Sequence, residues 1–247
     1  MKRTILSLIL TPFLLYASTI NSANDIIKKI ETNLNGKTLY TKMKMIVQTK
    51  RTKRTMIMES WGEGTKKSFI KILYPKKDKG ITFLKLDNKM WQYVPKIERV
   101  IKIPASMMLQ SWMGSDFSND DLVKESSLSD DYDTKLINED DKVYTLELIS
   151  KEDSAVVWGK IVMSVSKKYL LPTAVKYFDE DNILVRELTY KDIKKFKDRF
   201  YPTYWEMIPK LEEKIGHKTI LIVEELIFNE EIKSSYFTKR ALKRYSK

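Results

Sequence analysis

The sequence predicts a mainly β (α+β) fold, an open barrel or strongly curved antiparallel sheet with short helices covering one side. Three observations lead there. From Thr38 onward apolar residues recur at every second position in short runs. Compact turn chemistry separates the runs, as in Trp61-Gly62-Glu63-Gly64, Tyr74-Pro75-Lys76 and Asp87-Asn88. Helical spacing is confined to short stretches near the start, around residues 105–114 and at the end.

The first 23 residues read as an export signal. Met1-Lys2-Arg3 is a basic start, residues 5–16 form an apolar run of 12, and small residues follow through Ala23. A run of 12 is too short to span a bilayer. Residues 24–247 are expected to form one domain.

Residues 24–35 predict a helix, with Ile26, Ile27, Ile30 and Leu34 on one face, Asn24 as the cap and Asn35-Gly36 as the stop. Met43, Met45 and Val47 then alternate with Lys42 and Lys44, a half-buried strand. Further strands are expected over 53–61, 67–74, 80–86, 89–94 and 97–103, a meandering series. Pro104 ends it. A short helix over 105–114 would place Ala105, Met108, Leu109 and Trp112 on one face and close at Gly114. A second would begin at Ser118 or Asn119, with Asp120 and Asp121 in its first turn. Strands resume over 132–138, 143–150, 158–166, 171–178, 183–191, 199–208 and 217–226, and 237–245 reads as a basic helix.

The formal net charge is +12, unevenly spread. Residues 42–79 carry 12 Lys/Arg against three acids, whereas 116–153 carry 13 acids against four Lys. A basic and an acidic face follow. Export argues against nucleic acid and for transient contact with a membrane surface, where each nearby Lys or Arg contributes about 1 kcal/mol against anionic lipid. With no cysteine, the chain has neither disulfides nor the N-terminal cysteine that an acyl anchor needs. It is expected to be free and monomeric.

The sequence offers little for catalysis, and no enzyme is expected. The single histidine, His217, follows Gly216 at a strand start, and no cysteine accompanies it. Asp116, Asp120 and Asp121 lack the spacing of a calcium loop, and helix capping accounts for them. No metal and no cofactor are implied. What stands out is apolar: eleven Met and five Trp. Several concentrate in residues 90–113. Methionine suits surfaces that accept variable apolar shapes. A short helix apolar nearly all round must be covered or cover something, as a lid over a hydrophobic cavity would.

The segments Gly80-Ile81-Thr82-Phe83-Leu84-Lys85 and Met90-Trp91-Gln92-Tyr93-Val94-Pro95 resemble outer-membrane lipoprotein-sorting proteins of the LolA-like superfamily. So do Ile103-Pro104-Ala105-Ser106-Met107-Met108 and the stretch from Gln110 to Leu122, and the ending from Phe237 to Leu242 fits. The resemblance implies a half-open antiparallel β-barrel whose short helices form a lid or plug over a hydrophobic cavity. It implies a periplasmic carrier of lipoprotein acyl chains or other lipids, moving them from an inner-membrane exporter to an outer-membrane acceptor. A lipid- or lipoprotein-sensing accessory module, working with an RND-type exporter or another envelope partner, is the alternative. Classical carriers of this kind hold the closed lid with an arginine; no motif in this chain marks its position, and the role is not carried over to Arg54.

On this reading the acyl-chain contacts on strands are Met45, Val47, Met58, Phe69, Phe83, Met90, Trp91, Tyr93 and Ile101. Those on the lid are Met107, Met108, Leu109, Trp112 and Met113.

Overall fold

The computed structural model describes residues 22–124, 128–152, 154 and 156–247. The segment expected to be an export signal lies, through residue 21, outside them.

One antiparallel sheet of 13 strands forms the body, in the order β6-β5-β4-β3-β2-β1-β13-β12-β11-β10-β9-β8-β7. Two meanders generate it. The first comprises β1 (Thr38–Gln48), β2 (Lys53–Glu63), β3 (Lys67–Tyr74), β4 (Thr82–Leu86), β5 (Lys89–Val94) and β6 (Arg99–Ile103). The second comprises β7 (Tyr132–Glu139), β8 (Val143–Ser150), β9 (Lys160–Ser166), β10 (Leu171–Phe178), β11 (Leu184–Phe196), β12 (Arg199–Pro209) and β13 (Lys218–Phe228). Among the described residues the only long-range strand pairing is β1 with β13, which joins the two meanders.

The alternation seen in the sequence sets the two faces. In β9, Ile161, Met163 and Val165 are buried while the residues between them are half-buried. Register shifts at Lys42/Met43, Ile57/Met58 and Tyr177/Phe178 are bulges that bend the sheet. The curved sheet does not close: β6 and β7 are its free edges. Residues 104–131 connect those edges.

The principal core lies on the concave face. Helix α1 (Ala23–Asn35) delivers Ile26, Ile27 and Ile30 into it, each worth about 1.5–3 kcal/mol of burial. Its cap is Ser22, whose side chain accepts from the Asp25 amide, and not the expected Asn24. Gly36, at φ +61°, ends the helix. On the convex face, a second cluster joins Phe69, Leu84, Trp91 and Tyr93 to Phe237, Ala241 and Leu242 of the C-terminal segment. That segment is a 3₁₀ turn (Ser234–Phe237) and helix α4 (Lys239–Arg244), in place of one helix.

The expected helix over 105–114 is also broken. Two 3₁₀ turns, Ala105–Met107 and Trp112–Gly114, flank an extended Ser111 that bridges Ser118. The shared face therefore does not form: Trp112 is buried and Leu109 is 64 % exposed. Local polar bonds win over apolar periodicity here. Helix α2 (Asp121–Lys124) starts after the expected Ser118, and α3 (Leu128–Asp131) was not expected. Among the described residues no helix is long and apolar enough to cross a membrane.

Candidate functional site

The described residues of the connection between the free edges, 104–124 and 128–131, cross the open concavity and form its roof. The tight loop from Ser111 to Ser118 turns Trp112 inward. The Trp112 amide donates to the Phe117 carbonyl at 2.7 Å, and the Ser115 hydroxyl to the Trp112 carbonyl at 2.7 Å. The Trp112 ring lies 5.2 Å from that of Phe83 on β4. Its indole N–H is buried without a hydrogen-bond partner.

Three polar ties fix the roof to the sheet. Arg54 on β2 donates to the Met113 carbonyl. Thr219 on β13 accepts from the Asp116 amide at 2.9 Å and donates to its carboxylate at 2.7 Å. Arg186 on β11 forms a two-pronged ion pair with Asp121 and donates to the Asp116 carbonyl at 3.2 Å. Its guanidinium lies against Trp158 and Tyr177, at 4.3 and 4.4 Å from the ring centroids. Beside it, burial pushes the Tyr132 phenol well above its ordinary range, and the carboxylates of Asp120, Asp131 and Asp121 add to the shift.

Between roof and sheet lies a cavity of about 190 Å³. Met43 and Met45 of β1, Met58 of β2 and Leu221 of β13 form its floor, and Trp112, Phe117 and Leu122 its ceiling. It adjoins a second cavity of about 200 Å³ through the shared Ser60, Asp121, Leu122 and Trp205. The second is more polar, bordered by Asn35, Ser68 and Lys85; Lys85 is buried and donates to the Thr65 carbonyl at 2.6 Å. The pair forms an apolar inner chamber with a polar outer one.

Of the expected contacts, Met45, Met58 and Trp112 line the apolar cavity. Val47, Phe83 and Met90 share its core cluster, with Met107, Met108 and Met113 packed at the margin. Five others are not brought there. Phe69, Trp91 and Tyr93 occupy the convex face beneath the C-terminal segment, since neighbours on a strand point to opposite sides. Ile101 and Leu109 face solvent.

Met43, Phe117, Leu122, Trp205 and Leu221 also line the cavity and were not among the acyl contacts expected from the sequence. Arg186 and its role were invisible there too, because its partner is 65 residues away. Asp116 and Asp121 bind Thr219 and Arg186 on the sheet, beyond the capping expected of them. Arg54 does reach the roof.

A family model described as "-like: Uncharacterized protein" matches residues 64–244. The chain belongs to that family. No curated protein matches it. Solved structures share the fold. A DUF1329 family protein from Desulfovibrio piger is 22 % identical, with TM-score 0.82 over 89 % of this chain and 97 % of that one. A Vibrio parahaemolyticus domain named for outer membrane lipoprotein sorting is 22 % identical, with TM-score 0.78 over 90 % and 98 %. A LolA superfamily protein from Nitrosomonas europaea is 18 % identical, with TM-score 0.75 over 89 % and 99 %. The family member described here thus has a LolA-like fold, a half-open barrel of antiparallel strands.

Proposed function

We propose that this protein is a periplasmic carrier that shelters acyl chains of lipoproteins or lipids beneath its roof and moves them between inner and outer membrane. It binds and releases; no catalytic step is assigned. The observation that carries the reading is the apolar chamber lined by Met43, Met45, Met58 and Trp112 under a segment tied down at three points.

The physics favours this use. Each buried CH₂ gains about 0.8 kcal/mol, so a long acyl chain in water costs on the order of 10 kcal/mol. The chamber of about 190 Å³ is smaller than the roughly 300–1,000 Å³ of usual ligand pockets. Loading therefore requires the roof to lift, and flexible methionines let the floor adapt. The unpaired Trp112 N–H is a donor for an ester carbonyl of the bound chain. The more polar chamber beyond Ser60 would receive the part of the cargo that stays hydrated.

The deciding experiment is extraction and mass spectrometry of lipids bound to protein taken from the periplasm, together with titration of a fluorescent fatty-acyl probe. Saturable binding, competed by the extracted lipid, is expected. Protein that carries no lipid and takes up no probe ends the proposal.

A further inference from the structure

The two meanders place several turns at one end of the barrel. Gln48 pairs with both Lys53 and Lys218, so the 49–52 hairpin sits beside the 210–217 turn. A Cβ on Gly216 would lie 3.3 Å from Lys50 Cγ. Tyr74 pairs with Ile57 near the start of β2, and a Cβ on Gly80 would lie 3.4 Å from Pro95 Cγ, so the 75–81 and 95–98 turns adjoin. Pairing of Arg186 with Pro209, and of Phe178 with Leu184, brings in the 179–183 turn. The roof reaches the same end: Leu109 shares a cavity of about 300 Å³ with Asp179, Leu211 and Lys214.

The most exposed large apolar side chains among the described residues are Leu109 at 64 %, Ile215 at 59 %, Ile97 at 54 %, Ile183 at 52 % and Tyr74 at 51 %. All five are here, one on each of four turns or strand ends and one on the roof. Single exposed apolar residues scattered over a surface carry no message. One per loop at a single end is not scatter. Near the opposite turns the exposed counterparts are Ile137, at 50 %, and Leu136, at 43 %, both on β7, and Phe200, at 40 %. Lysines and arginines accompany these side chains: Lys50, Arg51 and Lys53 on the first hairpin, Lys76, Lys77 and Lys79 on the next turn, all exposed.

We infer that this end is a docking face for an anionic lipid bilayer. The lysines engage headgroups, the apolar tips enter the interfacial layer, and the roof meets the membrane. The strands from β13 through β5 extend this face over roughly 24 Å at about 4.8 Å per strand. Acids on two of the turns, Asp179, Glu180, Asp181, Glu212 and Glu213, leave the β1–β5 side the more basic part of this face. The inference rests on the carrier reading only for the purpose of docking, the transfer of cargo.

The absence of cysteine makes the test clean. Single-cysteine variants Ile97→Cys, Leu109→Cys and, at the opposite end, Asp141→Cys are labelled with an environment-sensitive dye and mixed with phosphatidylglycerol or phosphatidylcholine vesicles. Labels at 97 and 109 are expected to shift to an apolar signal on the anionic vesicles alone, with the label at 141 unchanged. Lys76→Glu/Lys77→Glu/Lys79→Glu should cut the vesicle-bound fraction by about tenfold or more at low salt. No binding, equal binding to neutral vesicles, an equal shift at 141, or indifference to charge reversal each overturns the inference. Acyl-probe binding by the same variants separates the two ideas. Docking lost with probe binding kept removes this inference alone; docking kept with probe binding absent removes the carrier.

Discussion

Arg186 on β11 and Asp121 on the roof are paired through both prongs, one bond measuring 2.7 Å, with side chains only 5 % and 3 % exposed. Neither charge has water to fall back on. Removing one partner of such a pair leaves the other charged and uncompensated, typically at about 3–5 kcal/mol. Arg186→Met is therefore expected to destabilise by that amount in urea titrations and to raise binding of a dye for exposed apolar surface. Arg186→Met with Asp121→Leu should recover most of the loss. A double variant no better than the single would show that the pair is not what holds the roof.

Ser60 stands where the two chambers meet. Ser60→Phe is expected to fill that junction and lower acyl-probe affinity at least about tenfold, with thermal stability unchanged to within about 1 kcal/mol. Probe titration alongside thermal melting checks it. Unaltered affinity with the fold intact would place acyl binding elsewhere.

Gly114 has φ +66°, and a Cβ there would come within 2.8 Å of Arg54 Nη2. Gly114→Ala should cost about 1–2 kcal/mol and loosen the contact of Arg54 with the Met113 carbonyl. Arg54→Ala removes that tie without backbone strain, at about 1–2 kcal/mol. Stopped-flow probe uptake should be faster in both variants if the roof gates entry.

Trp91 lies on the convex face, where the Lys239 ammonium sits 4.9 Å from its ring centroid. Trp91→Ala is expected to cost about 3–5 kcal/mol, as large core truncations do, while probe affinity stays at the wild-type level. Chemical denaturation and probe titration of the one variant separate these effects.

Glu206 accepts from Lys218 at 2.9 Å and from Lys191 at 3.3 Å, and the Lys218 bond is the main cause that holds its carboxyl below the ordinary value of 4.5. A carboxyl lowered in the folded state adds stability above its unfolded value, and that stability is lost as pH falls through the folded one. Glu206→Gln should cost about 1 kcal/mol at neutral pH. The gap between wild type and variant should close below pH 4.5. Melting curves from pH 7 down to 3 test the sign.

Met90 and Trp91 illustrate where sequence reading of the site succeeded and where it stopped. Both were legible as buried strand residues. Which face was which could not be read, because both sides of β5 are buried: one under the roof, the other under a helix from the far end of the chain. The roof misled for a different reason. Apolar spacing favoured a helix through Leu109, whereas hydrogen bonds within Ser111–Ser118 fold it as a loop.

The sequence by itself determined the strands, their order and most of their bounds, since period-two burial and turn chemistry are properties of neighbouring residues. It also carried the segregated charge and the concentration of methionine. Only the tertiary structure decided that the opening falls between β6 and β7, that Arg186 reaches Asp121, and that the chamber is floored by Met43 and Leu221 from strands at opposite ends of the chain. Those features depend on curvature summed over 13 strands and on contacts between residues far apart in the chain, which no local pattern encodes.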